Sequence, residues 1–394
     1  MPALALLEPL LGLTELPQTF ADSSPGMEAD DSLWTIRLTR WQKEWGTLPD
    51  GLEMVLVDGV THCVGRLSRY KLDLWVQQLK QDGLKLPATS LENSIKAHTA
   101  PAPVWQWGRQ KTWRLDFSKP QVMGIINVTR NSFSGDGITI DQAIKQGLQM
   151  ADQGADILDV GGESTRPGAS RIEIKEELAQ TVPVVKALAE QLDIPISIDS
   201  SKPEVMAAAM DAGAAIINDV TALRNLGDET QEKETLKLLA ESDCPIILMH
   251  MQGEPNTMQQ APQYSHVMSQ VYGFLAERIE FCLANGISRQ RIVVDPGIGF
   301  GKLANHNLEL MRRQRILCGL GTPLLLGLSR KRIVGSLTGE PIPKQRDMGS
   351  HLLAAFGYMV GANIFRVHDV QGACQALSVA KGWRKGLESA PCND

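Results

Sequence analysis

The chain has 394 residues, 43% of them hydrophobic and 21% charged, with a formal net charge of -6. That length supplies apolar material for a large core and exceeds one small domain, so two domains are expected. The mildly acidic balance without a Lys/Arg cluster speaks against nucleic acid, since a phosphate backbone demands a concentrated basic surface, and nothing in the composition argues for a membrane.

In chain order, the opening MPALALLEPLLGL is apolar but lacks a basic n-region, contains Glu8 and Pro9 and has no small-residue cleavage site. It reads as the amphipathic start of a helix rather than a signal peptide. Seven of the eight tryptophans lie between Trp34 and Trp113. LWTIRLTRWQKEWG and SRYKLDLWVQQLKQDG space their aromatics as helices do, and GLEMVLVDGVTHCVGRL reads as two strands about a turn-prone Asp-Gly pair. A small α+β extension over residues 1–118 is expected, its tryptophans packed in a core and its role unassigned. Cys63, Cys244, Cys282, Cys318, Cys374 and Cys392 form no CxxC pair, and His62 beside Cys63 has no further ligands nearby. Reduced thiols in a cytoplasmic protein fit this scatter better than disulfides or a zinc site.

From Val122 the character changes. Eight short apolar runs end in polar residues: VMGIINVT, ADILDVGG, PISIDS, AIINDV, CPIILMHM, RIVVDPG, PLLLGLS and NIFRVHD. Helix-like segments such as TIDQAIKQGLQMADQGA, KPEVMAAAMDAGA and SQVYGFLAERIEFCLANG separate them, several closing on glycine. Continuous apolar strands are those of a parallel sheet buried on both faces. Eight βα units predict a (β/α)8 TIM barrel over 119–394, complete from about Val122.

In such a barrel the strand ends converge on one face. Those ends carry Asn127, Asp159, Glu163 to Arg166, Asp199, Asn218 with Asp219, His250, Asp295, Ser329 to Lys331, Arg366 and His368. A single Asp there is ordinary turn chemistry, but helix capping does not account for His250, Lys331, Arg366 and His368. Arg166, Lys331, Arg366 and His368 can hold an anion, helped by Thr165 and the amides of GGESTRPG. Asp199, Asn218 and Asp295 suit a polar heterocycle with exposed N–H groups. A heteroaromatic ligand bearing a phosphate or diphosphate follows, and the catalytic problem is then loss of diphosphate, helped by cationic clamps and a divalent metal.

MGIINVTRNSFSGDG, DILDVGGESTRPGA, SIDSSKPEV, IINDV, LMHMQGEPNTMQ, DPGIGFGK, LGLSRKRIVGSLTG and FRVHDV, in this order, resemble the successive motifs of the dihydropteroate synthase family. The resemblance implies a transferase of folate biosynthesis. It would join (7,8-dihydropterin-6-yl)methyl diphosphate to 4-aminobenzoate with Mg2+ present, as a cytoplasmic homodimer. It further implies that Asp199, Asn218, Met249, Asp295 and Lys331 line a pterin pocket, and that Asn127, Thr165, Arg366 and His368 hold the diphosphate, Asn127 also meeting the metal. Arg366, His368, Lys331 and Asp199 are then the candidate catalytic residues. Phe133, Arg166, Pro167 and Arg332 are the candidates for the aminobenzoate.

The chain departs from the family pattern at Arg130 and Asn131, where Pro and Asp are usual, and at Arg332, where a serine is usual. All three fall on the aminobenzoate side. The alternatives are a diverged pterin-binding enzyme with another acceptor and a corrinoid-dependent methyltransferase-type domain. GGESTRPGA, SRK and RVHDV argue against the latter, because methyl transfer has no diphosphate to clamp.

Overall fold

The computed structural model describes residues 5–9, 33–39, 48–57, 60–100, 102–108, 111–128, 138–163, 172–224, 228–253 and 257–386. Two compact units divide the chain. One comprises 1–101 with 313–321 and 381–394, the other 102–312 with 322–380.

In the first unit, β1 (Ala5–Pro9), β2 (Leu33–Thr39), β3 (Leu52–Val57) and β4 (Val60–Ser68) form an antiparallel sheet in the order β1-β2-β4-β3. Two helices follow, α1 (Arg69–Gln81) and α2 (Lys85–Thr99). Ser68 starts α1 by accepting the amide of Lys71 at 3.3 Å, the usual capping use of a hydroxyl. Leu72, Trp75, Val76 and Leu79, at helical spacing, bury one face of α1 with Ile36, Cys63, Leu67, Leu91 and Ile95. The expected strand pair and the helix through Trp75 are present, and the Asp-Gly turn lies outside the described residues. Two expectations are corrected. The stretch at Ala5–Pro9 is a strand rather than the start of a helix, and LWTIRLT is a strand rather than a helix. In LWTIRLT the alternation Trp34, Ile36, Leu38 against Thr35, Arg37, Thr39 has the period of a pleated strand. Pairing with β4 along its whole length settles which period applies.

The second unit holds β5 (Val104–Trp107) and β6 (Trp113–Asp116), an antiparallel pair, and then eight parallel strands. These are β7 (Gln121–Asn127), β8 (Ile157–Gly161), β9 (Ile196–Asp199), β10 (Ile216–Asp219), β11 (Ile246–Met249), β12 (Ile292–Asp295), β13 (Leu325–Leu326) and β14 (Ile364–Val367). Their order is β12-β11-β10-β9-β8-β7-β14-β13, and the bridge Val294 to Leu324 closes the ring. This is the predicted (β/α)8 TIM barrel, with all eight strands where the apolar runs placed them. Between the strands run α3 (Ile140–Asp152), α4 (Ile174–Gln191), α5 (Pro203–Asp211), α6 (Glu229–Glu241), α7 (Val267–Ala284), α8 (Ala304–Arg312), α9 (Arg332–Thr338) and α10 (Asp347–Met359). The last helix, α11, spans Val370–Lys385. Thr139 and Gln142 close a capping box at the head of α3.

The β5–β6 hairpin belongs to this unit, which begins at 102, ahead of the expected boundary at 118/119. Trp105, Trp107, Trp113, Leu115 and Phe117 pack against Met123, Ile157, Ile216, Ile247, Val293, Leu325 and Ile364. Four of these, Ile157, Ile216, Leu325 and Ile364, are the first residues of their strands, so the hairpin floors the barrel. The Trp107 indole N–H donates to Ala215 O at 2.9 Å, which satisfies its one polar atom. The barrel is therefore complete only with residues well before Val122.

Candidate active site

At the opposite end, strand register brings the polar residues level. Asn127 pairs with Gly161, Gly161 with Asp199, Asp199 with Asn218, and Met249 with Asp295. Asp199 closes β9 and Asn218 stands one place before the end of β10, and the residues preceding them in those strands are buried and apolar save for Ser197. The side chains meet across the barrel. Arg366 on β14 donates from Nε to Asp159 Oδ2 at 2.6 Å and from Nη2 to Asp199 Oδ2 at 2.7 Å. Asn218 Nδ2 donates to the same Asp159 oxygen at 3.0 Å. Gly327 follows the two-residue β13, and a Cβ at this position would stand in ordinary van der Waals contact with its neighbours. That point lies 3.6 Å from Lys331 Nζ and 4.0 Å from both Asp295 Oδ2 and Arg366 Cβ. Arg366, Lys331 and Asp295 thus surround one small volume, with Asp199 and Asn218 joined to it through Arg366 and Asp159.

Lys331 caps the start of α9 and donates from Nζ to Ile298 O at 2.6 Å while standing 4.6 Å over the Phe300 ring. Asp295 Oδ1 accepts the Gly297 amide at 2.7 Å. His368 donates its backbone N–H to Ser329 Oγ at 3.1 Å, and its Nδ1 lies 2.9 Å from the same oxygen. Met249 packs with Met251 and Met258 against Val220 and Phe300, an apolar cluster beside Asp295.

Burial dominates the electrostatics. It pushes the Asp199 carboxyl up to about 7, against the pull of Arg366 and with the help of Asp159. It raises Asp295, opposed by Lys331, and lowers the Lys331 ammonium to about 8, opposed by Asp295. Arg366 is raised by the surrounding carboxylates in spite of its burial. Three carboxyls, Asp159, Asp199 and Asp295, face two cations, Arg366 and Lys331. Such a site accepts N–H donors from a ring at its carboxylates and an anion at its cations. Among the described residues Arg366 spends Nε and one Nη2 hydrogen on Asp159 and Asp199, and a guanidinium carries five N–H donors.

Asp159, named among the strand ends but given no role in the ligand set, is fully buried and ties Arg366 to Asn218. A carboxylate inside the otherwise apolar ILDVG, with all five positions buried, was its only signal. Lys202 was missed. Its Nζ binds Glu163 Oε2 at 2.5 Å, Glu177 Oε2 at 2.6 Å and Ile172 O at 2.9 Å. Two strand-end residues have structural work instead. Asp219 is fully buried, and its carboxylate accepts from the Thr221 and Leu223 amides, which holds Ala222 and Leu223 at positive φ. His250 is buried beside Lys302, whose Nζ lies 2.9 Å from its Nδ1 and donates to Gly297 O and Phe300 O, also at 2.9 Å. Burial, then the Lys302 charge, holds the His250 imidazole well below its ordinary value, so it is neutral. Arg332 stands exposed at the first position of α9. Phe133, Thr165, Arg166 and Pro167, with Arg130 and Asn131, lie outside the described residues.

The sequence profile of the family described as pterin binding enzyme matches residues 123–368. The dihydropteroate synthase of Escherichia coli K12 is 43% identical over 277 residues, covering 70% of this chain and 95% of that protein. Among solved structures, the Xanthomonas albilineans dihydropteroate synthase with 4-aminobenzoic acid aligns with a TM-score of 0.62 at 45% identity, over 68% of this chain and 93% of that one. The same organism's enzyme in complex with 7,8-dihydropteroate aligns with a TM-score of 0.59 at 42% identity, over the same shares. The matched span carries every described candidate residue from Asn127 to His368, and with that identity through the barrel the chain belongs to the pterin binding enzyme family, among the dihydropteroate synthases.

Proposed function

We propose that this chain condenses (7,8-dihydropterin-6-yl)methyl diphosphate with 4-aminobenzoate to give 7,8-dihydropteroate and diphosphate, a step of folate biosynthesis. The observation that carries this reading is the convergence of Arg366, Lys331, Asp295, Asp199 and Asn218 at the strand ends of one barrel. Its relatives with 4-aminobenzoic acid and 7,8-dihydropteroate bound support it.

Asp199, Asn218 and Asp295 accept the pterin N–H groups, Lys331 donates to the ring and Met249 lines its apolar side. Arg366 and His368 hold the diphosphate, joined by Thr165. The C–O bond from the pterin methylene breaks with its electron pair leaving on diphosphate, and the arylamine nitrogen forms the new C–N bond and loses a proton to water. A dihydropterin spreads positive charge from its methylene carbon, so the protein's task is positional and electrostatic. Asp199 and Asp295 offset that charge, and the arylamine, already neutral, needs no strong base.

Mg2+ is the metal we assign, with Asn127 at the end of β7 as its protein ligand. No group of three or more His, Cys, Asp or Glu able to hold a metal exists among the described residues. That donor set fits an ion that takes most of its oxygens from phosphate and water. When bound, Mg2+ would neutralise diphosphate charge. Phe133, Arg166, Pro167 and Arg332 remain our candidates for the aminobenzoate, Arg332 offering its carboxylate a charge-assisted bond at the start of α9. We place the chain in the cytoplasm as a homodimer. The solvent-facing stripe of Met348, Leu352 and Phe356 along α10 supports pairing through an apolar face.

The test is product formation from the pterin diphosphate with 4-aminobenzoate and with an arylamine lacking the carboxylate. Dihydropteroate formed only with the former is the expected result. Equal use of the uncharged amine, or diphosphate released by water alone, would assign another acceptor.

A further inference from the structure

Between Ser329 and Lys331 stands Arg330, a non-glycine residue with φ of 61°. A side chain in the left-handed region is strained by its Cβ, and such a residue persists only where its surroundings hold it. Four bonds from the start of α10 hold this one. Arg330 Nε donates to Asp347 Oδ1 at 2.7 Å and Nη2 to Asp347 Oδ2 at 2.8 Å, a two-pronged fork. The Arg330 amide donates to Ser350 Oγ at 3.0 Å, and its carbonyl accepts from Arg346 Nη1 at 3.1 Å. Arg346 is itself fastened, donating to Glu340 O at 2.8 Å and Pro341 O at 2.6 Å.

The turn closed by Lys331 N to Leu328 O, at 3.1 Å, carries a site residue on each side of Arg330. Ser329 Oγ meets His368 twice, and Lys331 Nζ meets Ile298 O beside Asp295. A glycine would take this φ without strain. The chain instead carries the one side chain whose planar fork matches a carboxylate at two points.

We propose that the Arg330–Asp347 fork is a positioning pair, which holds the strained turn so that Ser329 orients His368 and Lys331 reaches the pterin pocket. The roles of His368 and Lys331 rest on the function proposed above; the geometry of the clamp does not. Loss of the fork lets the turn relax. Positioning errors of about 1 Å cost around a hundredfold in rate, so a tenfold to hundredfold effect is expected.

The variants are Arg330→Gly, which keeps the backbone unstrained and removes the fork, Asp347→Asn, which keeps the shape and removes the charge, and the two combined. Hydrogen exchange without substrate should show protection lost in 327–332 and 366–369 in each variant, with β8 to β12 unchanged. In steady state, kcat should fall and KM for the pterin diphosphate should rise, with KM for 4-aminobenzoate unmoved. The double variant should be no worse than the worse single one, as members of one unit behave. Exchange confined to 344–352, or loosening spread through the barrel, would overturn the inference whether or not the wild-type chain turns over. So would full kcat/KM in Asp347→Asn.

Discussion

The two ends of the barrel are built from the same strands and share almost no chemistry. At the floor, the first residues of β8, β10, β13 and β14 are apolar and are sealed by Trp105, Trp107, Trp113, Leu115 and Phe117. At the other end, the last residues of β7, β9, β10 and β12 are Asn127, Asp199, Asp219 and Asp295, and Arg366 bridges Asp199 to Asp159 of β8. A parallel barrel points all its strands one way, so one end can be given to packing and the other to ligands. Damage to the floor should therefore read out as stability, and damage to the strand ends as activity with a charge-dependent cost.

The largest expected effect is at the floor. A chain starting at Lys111 lacks Trp105 and Trp107 and leaves the bottom of the barrel open, so it should be insoluble, whereas one starting at Ala102 should fold. Soluble expression and circular dichroism compare the two, and a well-folded Lys111 start would mean that β6 alone closes the floor. Within the full chain, Trp107→Ala should cost about 3–5 kcal/mol in denaturant unfolding with KM unchanged. At the other end, Arg366→Ala should lower kcat by about a hundredfold to a thousandfold. It should also destabilise, because Asp159 and Asp199 lose their buried cation, and breaking such a pair costs about 3–5 kcal/mol. Restored stability but not activity in Arg366→Ala with Asp159→Asn would separate the two effects.

Titration sharpens the contrast. The folded Asp199 carboxyl, at about 7, lies above its ordinary 3.8. Between those values the folded chain binds more protons than the unfolded one, so stability falls as pH rises through the window. The slope is at most about 1.4 kcal/mol per pH unit for one group. Asp199→Asn should flatten it, and unfolding midpoints from pH 4 to 7 measure the difference. Floor variants should leave the slope intact. The smallest effect is expected at exposed Arg332. Arg332→Ala should raise KM for 4-aminobenzoate about tenfold, the scale of one charge-assisted bond, and an unchanged KM would remove Arg332 from the aryl site.

Much of the barrel was legible because its signals are local. An apolar run ended by Asn, Asp or Arg marks both a buried strand and its functional end, and all eight runs became strands. The first unit was less legible. LWTIRLTRWQKEWG offers a helical spacing of tryptophans and its first seven residues a strand alternation, and a partner strand chose between them over LWTIRLT. The tryptophans looked like one group in sequence, yet Trp75 packs in the first unit's core and Trp105, Trp107 and Trp113 in the barrel floor.

Sequence alone determined the barrel, the order of its polar strand ends and the family they resemble, because strand period and terminal residue type are properties of neighbours along the chain. Only the tertiary structure decided which of those ends come together. Asp159 and Arg366 are 207 positions apart and meet at 2.6 Å, a contact that exists once the ring closes. Lys302 and His250 look catalytic in a list of ionisable residues, but burial against carbonyl oxygens makes them a brace for the loop after β12. The strained Arg330 depends likewise on α10, since no residue near it in sequence supplies its carboxylate. Charge pairing and desolvation act through space, and their sign is set by whichever groups the fold brings within a few ångströms.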